Sequence, residues 1–447
     1  MSVKKKTYFL ASLGCAKNTV DSTSMATLLD HHGMTNITDP QKAEFLIVNT
    51  CGFIEQARQE SIEVLNELAG SKTPGQKLIA AGCMPQMFTD MLLEKVQGID
   101  GILGTRRWMD IYDVISTIRD KPTQPGPYIY LPSVPDVGHD DRGLHRIAPQ
   151  GTSAYLKIAD GCRRSCAFCS IPLIKGSLVS RSMPAILEDV RYLEDRGMQE
   201  IILIAQDSTD YGFDLGIKDG LPKLLERILN VSQSIPWIRI LYTYPGYITD
   251  HLIDLMASEH RILPYLDIPL QHADPAILKK MKRPWDIQWV HDTLSKMRSK
   301  IPHLALRSTF IVGYPGETDR EFSTLLEFIK AINFDHIGAF PFSFEHGTPS
   351  EPLGDPVSAE EKSARLEALM KLQEHISLKL NQAFIGKRMD ILIEGESDGI
   401  SVGRSYRDAP EIDGLVIVEG TLPVGKISQV DITGAMIHDL SGVPARI

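Results

Sequence analysis

Three cysteines, Cys162, Cys166 and Cys169, fall in one short stretch with the spacing C-x3-C-x2-C. No fourth cysteine lies nearby. A four-iron cluster ordinarily takes four cysteine thiolates. Three thiolates would leave one iron open, and an open iron is where a substrate or cofactor binds. The chain has only six cysteines, and the other three, Cys15, Cys51 and Cys83, are scattered over its first 83 residues. A fold for this chain has to account for two sets of three.

The alternatives for the close-spaced trio are a zinc site and inert buried thiols. Structural zinc takes four ligands in paired spacings. No second pair follows here, and His139 and His145 lie upstream without finger spacing. Residues 1–15 superficially mimic a lipoprotein signal, but the apolar stretch Tyr8 to Leu13 is too short for one and Lys17 and Asn18 follow at once. It reads as a first β-strand. No apolar run is long enough to span a bilayer, so the expected location is cytoplasmic, with no membrane partner. Thiols there stay reduced, and grouped cysteines point to metal or catalysis rather than disulfides.

Residues 1–120 alternate short apolar runs with helical patterns. Strands are expected at 8–12, 45–49, 78–81 and 102–103, and helices at 21–32, 55–69, 85–95 and 108–119. This is an α/β pattern with a mainly parallel, open sheet. Cys15, Cys51 and Cys83 each follow the carboxyl end of an expected strand. In open α/β sheets that edge binds ligands, so cysteines distant in sequence can meet there. Residues 121–150 read as a linker, with Pro122, Pro125, Pro127, Pro132, Pro135 and Pro149, and with Gly138 and Gly143.

Residues 151–383 repeat the strand–helix alternation. Strands are expected at 154–159, 200–205, 238–243, 265–268, 305–312 and 336–339, with helices such as 184–196 and 319–332 between them. Six such units make an incomplete (β/α)6 barrel, whose chemistry sits on the loops after the strands. The C-x3-C-x2-C loop follows the first of these strands. A long polar helix at 358–383 closes the segment. From 384 to 447, short strands near 389–393, 399–402, 414–418 and 426–432 are separated by glycine-rich turns, the pattern of a small antiparallel β-barrel.

Other candidate site residues lie at later strand ends of the barrel segment. Gln206 and Asp207 could bind a ribose or an amino group; the alternative is a polar turn capped by Asp207. Gln271 or His272 could face the cavity or serve the structure. Gly313 and Gly316 would let backbone approach an adenine. Arg307 could bind a cofactor carboxylate or form an internal salt bridge.

The close-spaced trio, with the aromatic Phe168 before its last cysteine, resembles the hallmark of the radical S-adenosylmethionine superfamily. The resemblance implies that Cys162, Cys166 and Cys169 hold a [4Fe-4S] cluster whose open iron chelates S-adenosylmethionine. Reductive cleavage then gives a 5′-deoxyadenosyl radical, and Phe168, Gln206, Asp207, Gln271 and Arg307 are the candidate cofactor-binding residues. Across nearly the whole chain the sequence further resembles the methylthiotransferases. Ser12-Leu-Gly-Cys-Ala-Lys-Asn-Thr-Val-Asp-Ser22, Asn49-Thr-Cys-Gly-Phe-Ile-Glu-Gln-Ala57 and Gly82-Cys83 look like the family's three N-terminal cluster motifs. Tyr155 to Cys162 and Ile171-Pro172 match its radical core, and the terminal barrel is placed like its TRAM domain. Lys175 stands where the family often has arginine, and Phe342-Ser-Phe344 where a Tyr-Ser is common.

The runs from Cys15 and Cys51 resemble the branch that modifies an aspartate of ribosomal protein S12. The resemblance implies a second [4Fe-4S] cluster on Cys15, Cys51 and Cys83 with a sulfide or sulfur source. It further implies two S-adenosylmethionine molecules, one methylating the sulfur and one cleaved to the radical that takes hydrogen from the aspartate β-carbon. An electron donor such as a flavodoxin or ferredoxin is expected. Charge bears on the recipient. The chain has a net charge of −10, and residues 380–447 hold six Lys and Arg against ten Asp and Glu. A tRNA-binding barrel should offer cations to phosphates, whereas an acidic one suits a basic ribosomal protein, so a tRNA partner is disfavoured. The competing readings are a tRNA adenosine methylthiotransferase and a non-catalytic iron–sulfur carrier or scaffold.

Overall fold

The computed structural model describes residues 6–120, 126–135 and 143–446. Pro122, Pro125, Gly138 and His139 lie outside the described residues. The N-terminal unit is a six-stranded, all-parallel sheet. Its central strands are Thr7–Ser12, Phe45–Thr50, Lys77–Gly82 and Gly101–Gly104, near the expected positions. Successive side chains alternate between two cores. Tyr8, Phe45, Ile47, Ile79 and Leu103 pack on one face, and Leu46, Val48, Leu78, Ala80 and Ile102 on the other. A parallel sheet covered on both faces needs such continuous apolar strands.

The expected linker is partly structured. Tyr128–Tyr130 adds a sixth strand at the sheet edge, beside Gly101–Gly104. Ile147–Gln150 joins the second sheet antiparallel to Ser153–Lys157. Proline-rich context hid both, but Pro can sit on an edge strand whose N–H side needs no partner.

The second unit is an open barrel of six parallel strands. They are Ser153–Lys157, Glu200–Ile204, Trp237–Ile240, Tyr265–Asp267, Ala305–Val312 and His336–Pro341. A bridge from Ile238 to Ile262 and the bond from Thr243 N to Asp267 O join its two halves. Helix Ala359–Gln382 packs along the last strand.

The C-terminal unit is a closed five-stranded barrel. Strand Leu440–Pro444, split by Gly442 and ended by Pro444, escaped the sequence pattern and pairs parallel with Val416–Glu419. The other four pairs are antiparallel, as expected. Residues 404–413 of this unit close the base of the six-stranded barrel, where the strands begin. Arg404 bonds Glu200 at 2.7 Å, Arg407 bonds Asp335 at 2.9 Å, and Asp413 accepts from Tyr265 at 2.6 Å. The base is therefore sealed by ion pairs, and the strand carboxyl ends are left as the open mouth.

Candidate active site

Cys15, Cys51 and Cys83 follow three adjacent parallel strands, and each stands at or just before the start of a helix. Ser12 pairs with Asn49 and Thr50 with Gly82, so the register brings the three loops level. Gly14, with φ +94°, passes so close to Cys51 that a Cβ there would lie 2.8 Å from the Cys51 Cβ. A side chain on Gly82, with φ +103°, would meet Asn49 Oδ1 at 2.4 Å. Only glycine fits either position.

Two asparagines lock this edge, and neither stood out as a site residue in the sequence. Asn18 Nδ2 donates to Leu13 O at 2.7 Å and to Thr50 O at 3.1 Å. Asn49 Nδ2 donates to Asn18 O at 3.1 Å and Ser22 Oγ at 2.8 Å. Cys15 is exposed at the residue level; crowding by neighbouring protein atoms opposes ionisation of its thiol, but Lys17, the Asn18 and Lys17 backbone N–H groups and Lys175 outweigh that and bring its pKa below the ordinary value. Burial pushes Cys51 up, and pushes Cys83 up to about 12.

The second trio sits in the loop after the first barrel strand. Gly161, with φ +71°, tucks under Ser177, whose carbonyl oxygen a Cβ would meet at 2.0 Å. Cys162 N donates to Gly176 O at 3.1 Å and Ala167 N to Met281 O at 2.8 Å. The loop is thus fixed to two other segments. Burial pushes Cys162 up to about 11 and Cys169 up to about 12.

Arg283 reaches this loop from 114 positions further on, where no local pattern marks it. It is 7% exposed, its Nη1 lies 3.5 Å from Cys166 Sγ, and its guanidinium stacks 4.1 Å from the Tyr244 ring centroid. Tyr244 Oη is 3.9 Å from the same sulfur. The Arg283 Nε is buried without a partner among the described residues. A buried cation beside a cysteine sulfur is the setting in which a thiolate, once metal-bound, is stabilised.

The remaining candidates divide. Phe168 and Gln271 line one cavity of about 210 Å³ with Phe53, Ile54, Thr309 and Phe342. Phe53 lies two residues beyond Cys51 and Phe168 directly precedes Cys169, so loops from both trios wall the same space. Gln206 Oε1 is buried with no partner among the described residues, leaving an acceptor open. The Asp207 carboxylate instead accepts from Arg164 at 2.7 Å and caps Thr209 N at 3.0 Å. Its oxygens are occupied, so it positions Arg164 rather than a ligand. Arg307 likewise forms the internal salt bridge, to Asp267 at 3.1 Å and Asp413 at 3.2 Å. His272 is buried against Glu317 at 3.1 Å and is structural.

Ion pairs hold the two units mouth to mouth. Asp21, on the helix that follows Cys15, accepts from Lys157 at 2.6 Å, Lys175 at 2.9 Å and Arg146 at 3.1 Å, all buried. Arg58 reaches from the helix after Cys51 to Glu345 at 2.7 Å. Lys175 is thus a docking residue of the interface.

Among the described residues, no group of three His, Cys, Asp or Glu side chains converges as a single metal ion requires. The donors on each side are three free thiols, the ligand type that iron–sulfur clusters take.

Family profiles agree with this architecture. Residues 7–104 match the uncharacterized protein family UPF0004, residues 156–329 the radical SAM superfamily and residues 385–444 the TRAM domain. In fold, the chain is similar to a radical S-adenosylmethionine methyltransferase from Kitasatospora setae. Its TM-score is 0.58 at 14% identity, over 89% of this chain and 81% of that one. In sequence it is 44% identical to the ribosomal protein uS12 methylthiotransferase of Chloroflexus aurantiacus, over 97% of this chain and 99% of that protein. It is 42% identical to that of Microcystis aeruginosa, over 98% and 99%. Likeness of this degree, unbroken from the first strand to the last barrel, places the chain in the ribosomal protein uS12 methylthiotransferase family of radical S-adenosylmethionine enzymes.

Proposed function

We infer that this protein adds a methylthio group to the β-carbon of an aspartate in ribosomal protein uS12. The observation that carries the reading is the shared cavity, walled by loops from both cysteine trios. Cys162, Cys166 and Cys169 would hold the radical-forming cluster, and Cys15, Cys51 and Cys83 the cluster that presents sulfur. When bound, the first cluster with S-adenosylmethionine supplies a radical able to take hydrogen from an unactivated carbon, which no acid–base side chain can do.

The chain's own residues supply position and exclusion of water. Phe53, Phe168 and Phe342 make the cavity wall apolar, and Gln206 and Gln271 offer polar groups to the cofactor. With the terminal unit bonded across the base, the strand carboxyl ends are the side that faces the cysteines and the substrate. The Asp21 and Arg58 ion pairs fix the distance between the two cysteine trios, which a transfer between them requires.

The terminal barrel supports a protein recipient over tRNA. Of its six basic side chains, Arg404 and Arg407 are buried in ion pairs and Arg388 is paired with Asp431 at 2.7 Å. Few cations remain for phosphates. Reduction is assigned to a flavodoxin- or ferredoxin-like donor. The test supplies reconstituted enzyme with uS12 and, separately, with tRNA. The methylthio mark is expected on uS12; a mark on tRNA nucleosides with uS12 mass unchanged refutes the assignment.

A further inference from the structure

Four cations converge where the first helix, Ala16–His31, enters the barrel mouth: Lys17, Arg146, Lys157 and Lys175. Three are paired. Lys157 and Lys175 bond Asp21 and lie 2.9 Å and 3.6 Å from Asp160, while Arg146 lies 3.1 Å from Asp21 and 3.4 Å from Asp160. Lys17 differs. Among the described residues its ammonium has no ion pair and no hydrogen bond to a side chain; it rests on the face of Tyr242, 3.1 Å from the ring centroid. Tyr242 belongs to the barrel, just past the carboxyl end of strand Trp237–Ile240, and holds φ +62°. The Asp267 carboxylate fixes that loop by accepting from Tyr242 N at 2.9 Å. Asp267 is also the carboxylate bound to Arg307, so its oxygens are occupied. Lys17 therefore extends from the N-terminal unit across the mouth, two residues from Cys15; the Cys15 thiol, Asp267 and Asp160 are near enough to act on its charge, but no carboxylate among the described residues is within ion-pair distance of its ammonium.

A partly desolvated ammonium with open donors calls for an anion. We propose that Lys17 binds the side-chain carboxylate of the aspartate being modified, and so makes the enzyme select an acidic residue over its neutral amide. The inference rests on the aspartate reading above. It follows from the chemistry of that reading: the reacting β-carbon is one bond from the carboxylate and has to lie between the two cysteine trios. A cation placed at the seam between the units, beside Cys15, meets the carboxylate when the β-carbon is in place. Arg146, Lys157 and Lys175 are already held by Asp21 and Asp160 in buried ion pairs, whereas Lys17 is in none among the described residues. Tyr242 holds the ammonium by its ring face, which leaves the opposite side of Lys17 for the ligand.

The test is a binding cycle on anaerobically reconstituted full-length enzyme with S-adenosylmethionine present. The probes are a synthetic peptide spanning the modified aspartate of uS12 and the same peptide with that Asp replaced by Asn. Wild-type enzyme is expected to bind the Asp peptide about tenfold more tightly, the size of one charge-assisted hydrogen bond. Lys17→Met is expected to weaken the Asp peptide alone and erase the preference, while Lys17→Arg keeps part of it. Lys17→Gln replaces the Met variant should the latter load less iron than wild type. Equal wild-type affinity for the two peptides overturns the proposal, as does a preference that survives in the neutral variants. So does a neutral variant that loses affinity for S-adenosylmethionine while still preferring the Asp peptide, since Lys17 would then serve the cofactor. Failure of wild type to bind either peptide or to modify uS12 is a different result and refutes the aspartate reading itself.

Discussion

Glu200 ties the base of the barrel to the terminal domain, and removing its charge should loosen both. It opens the second barrel strand with 0% exposure, between Arg239 at 2.7 Å and Arg404 at 2.7 Å. Burial alone would raise its pKa, but the two guanidinium groups outweigh burial and bring it from the ordinary 4.5 down to about 2. A depression of that size corresponds to roughly 3 kcal/mol of folding free energy at neutral pH. Breaking a buried ion pair from one side costs about 3–5 kcal/mol, so the two figures agree. Glu200→Gln keeps the shape and leaves Arg239 with no carboxylate partner among the described residues, so it should lose about 3 kcal/mol. The barrel's melting temperature should fall by roughly 6–12 °C.

The pH dependence carries its own sign. A depressed carboxyl contributes fully above its unfolded value and loses that contribution as pH falls through its folded value. The gap between wild type and Glu200→Gln should therefore be widest near neutrality and narrow steadily from pH 4.5 towards about 2. Urea unfolding of both proteins across that range measures it. A gap under about 1 kcal/mol at neutral pH, within the range of a surface substitution, refutes the reasoning. A gap that does not change with pH refutes it equally.

Cys162→Ala should abolish formation of 5′-deoxyadenosine, whereas Cys51→Ala should retain some cleavage but insert no sulfur; equal loss in both with the fold intact contradicts separate roles. Gly161→Ala places a Cβ 2.0 Å from Ser177 O at φ +71°, straining the loop by roughly 1–3 kcal/mol. Iron bound in a background lacking Cys15, Cys51 and Cys83 should fall, and unchanged iron counts against the tight loop. Arg283→Met removes the buried cation 3.5 Å from Cys166 Sγ. The midpoint potential of the cluster reconstituted in the same background should drop by about 60 mV, a tenfold change for one electron. A potential unchanged in that variant shows that Arg283 does not act on the cluster electrostatically.

The fold class and the placement of the six cysteines just past strand ends were legible because each rests on a short-range signal. Strand-terminal Gly-Cys pairs and the C-x3-C-x2-C loop are local, and apolar strands buried on both faces read as continuous runs. What escaped depends on partners distant in sequence. Arg404 and Glu200 are 204 positions apart, and Arg58 and Glu345 are 287 apart, so neither leaves a periodicity. Arg283 looks like any surface arginine until the fold brings it to Cys166. Arg307 and Asp207 have the chemistry of ligand-binding groups, and only the positions of Asp413 and Arg164 reveal that they serve the structure. Tyr128–Tyr130 is short and lies among prolines, and Leu440–Pro444 is interrupted by Gly442 and ended by Pro444, so neither stands out as a strand. The sheet edges that accept them are set by tertiary pairing.

The proposed function is transfer of a methylthio group to uS12 by two three-cysteine sites that flank one cavity. Intact-mass and peptide mass spectrometry of uS12 tests it most directly. The protein is to be purified from cells that carry this enzyme, lack it, or carry only its Cys51→Ala form. One methylthio group on a single aspartate is expected in the first case and none in the other two. Unmodified uS12 in all three, or the same mark in cells without the enzyme, would contradict it.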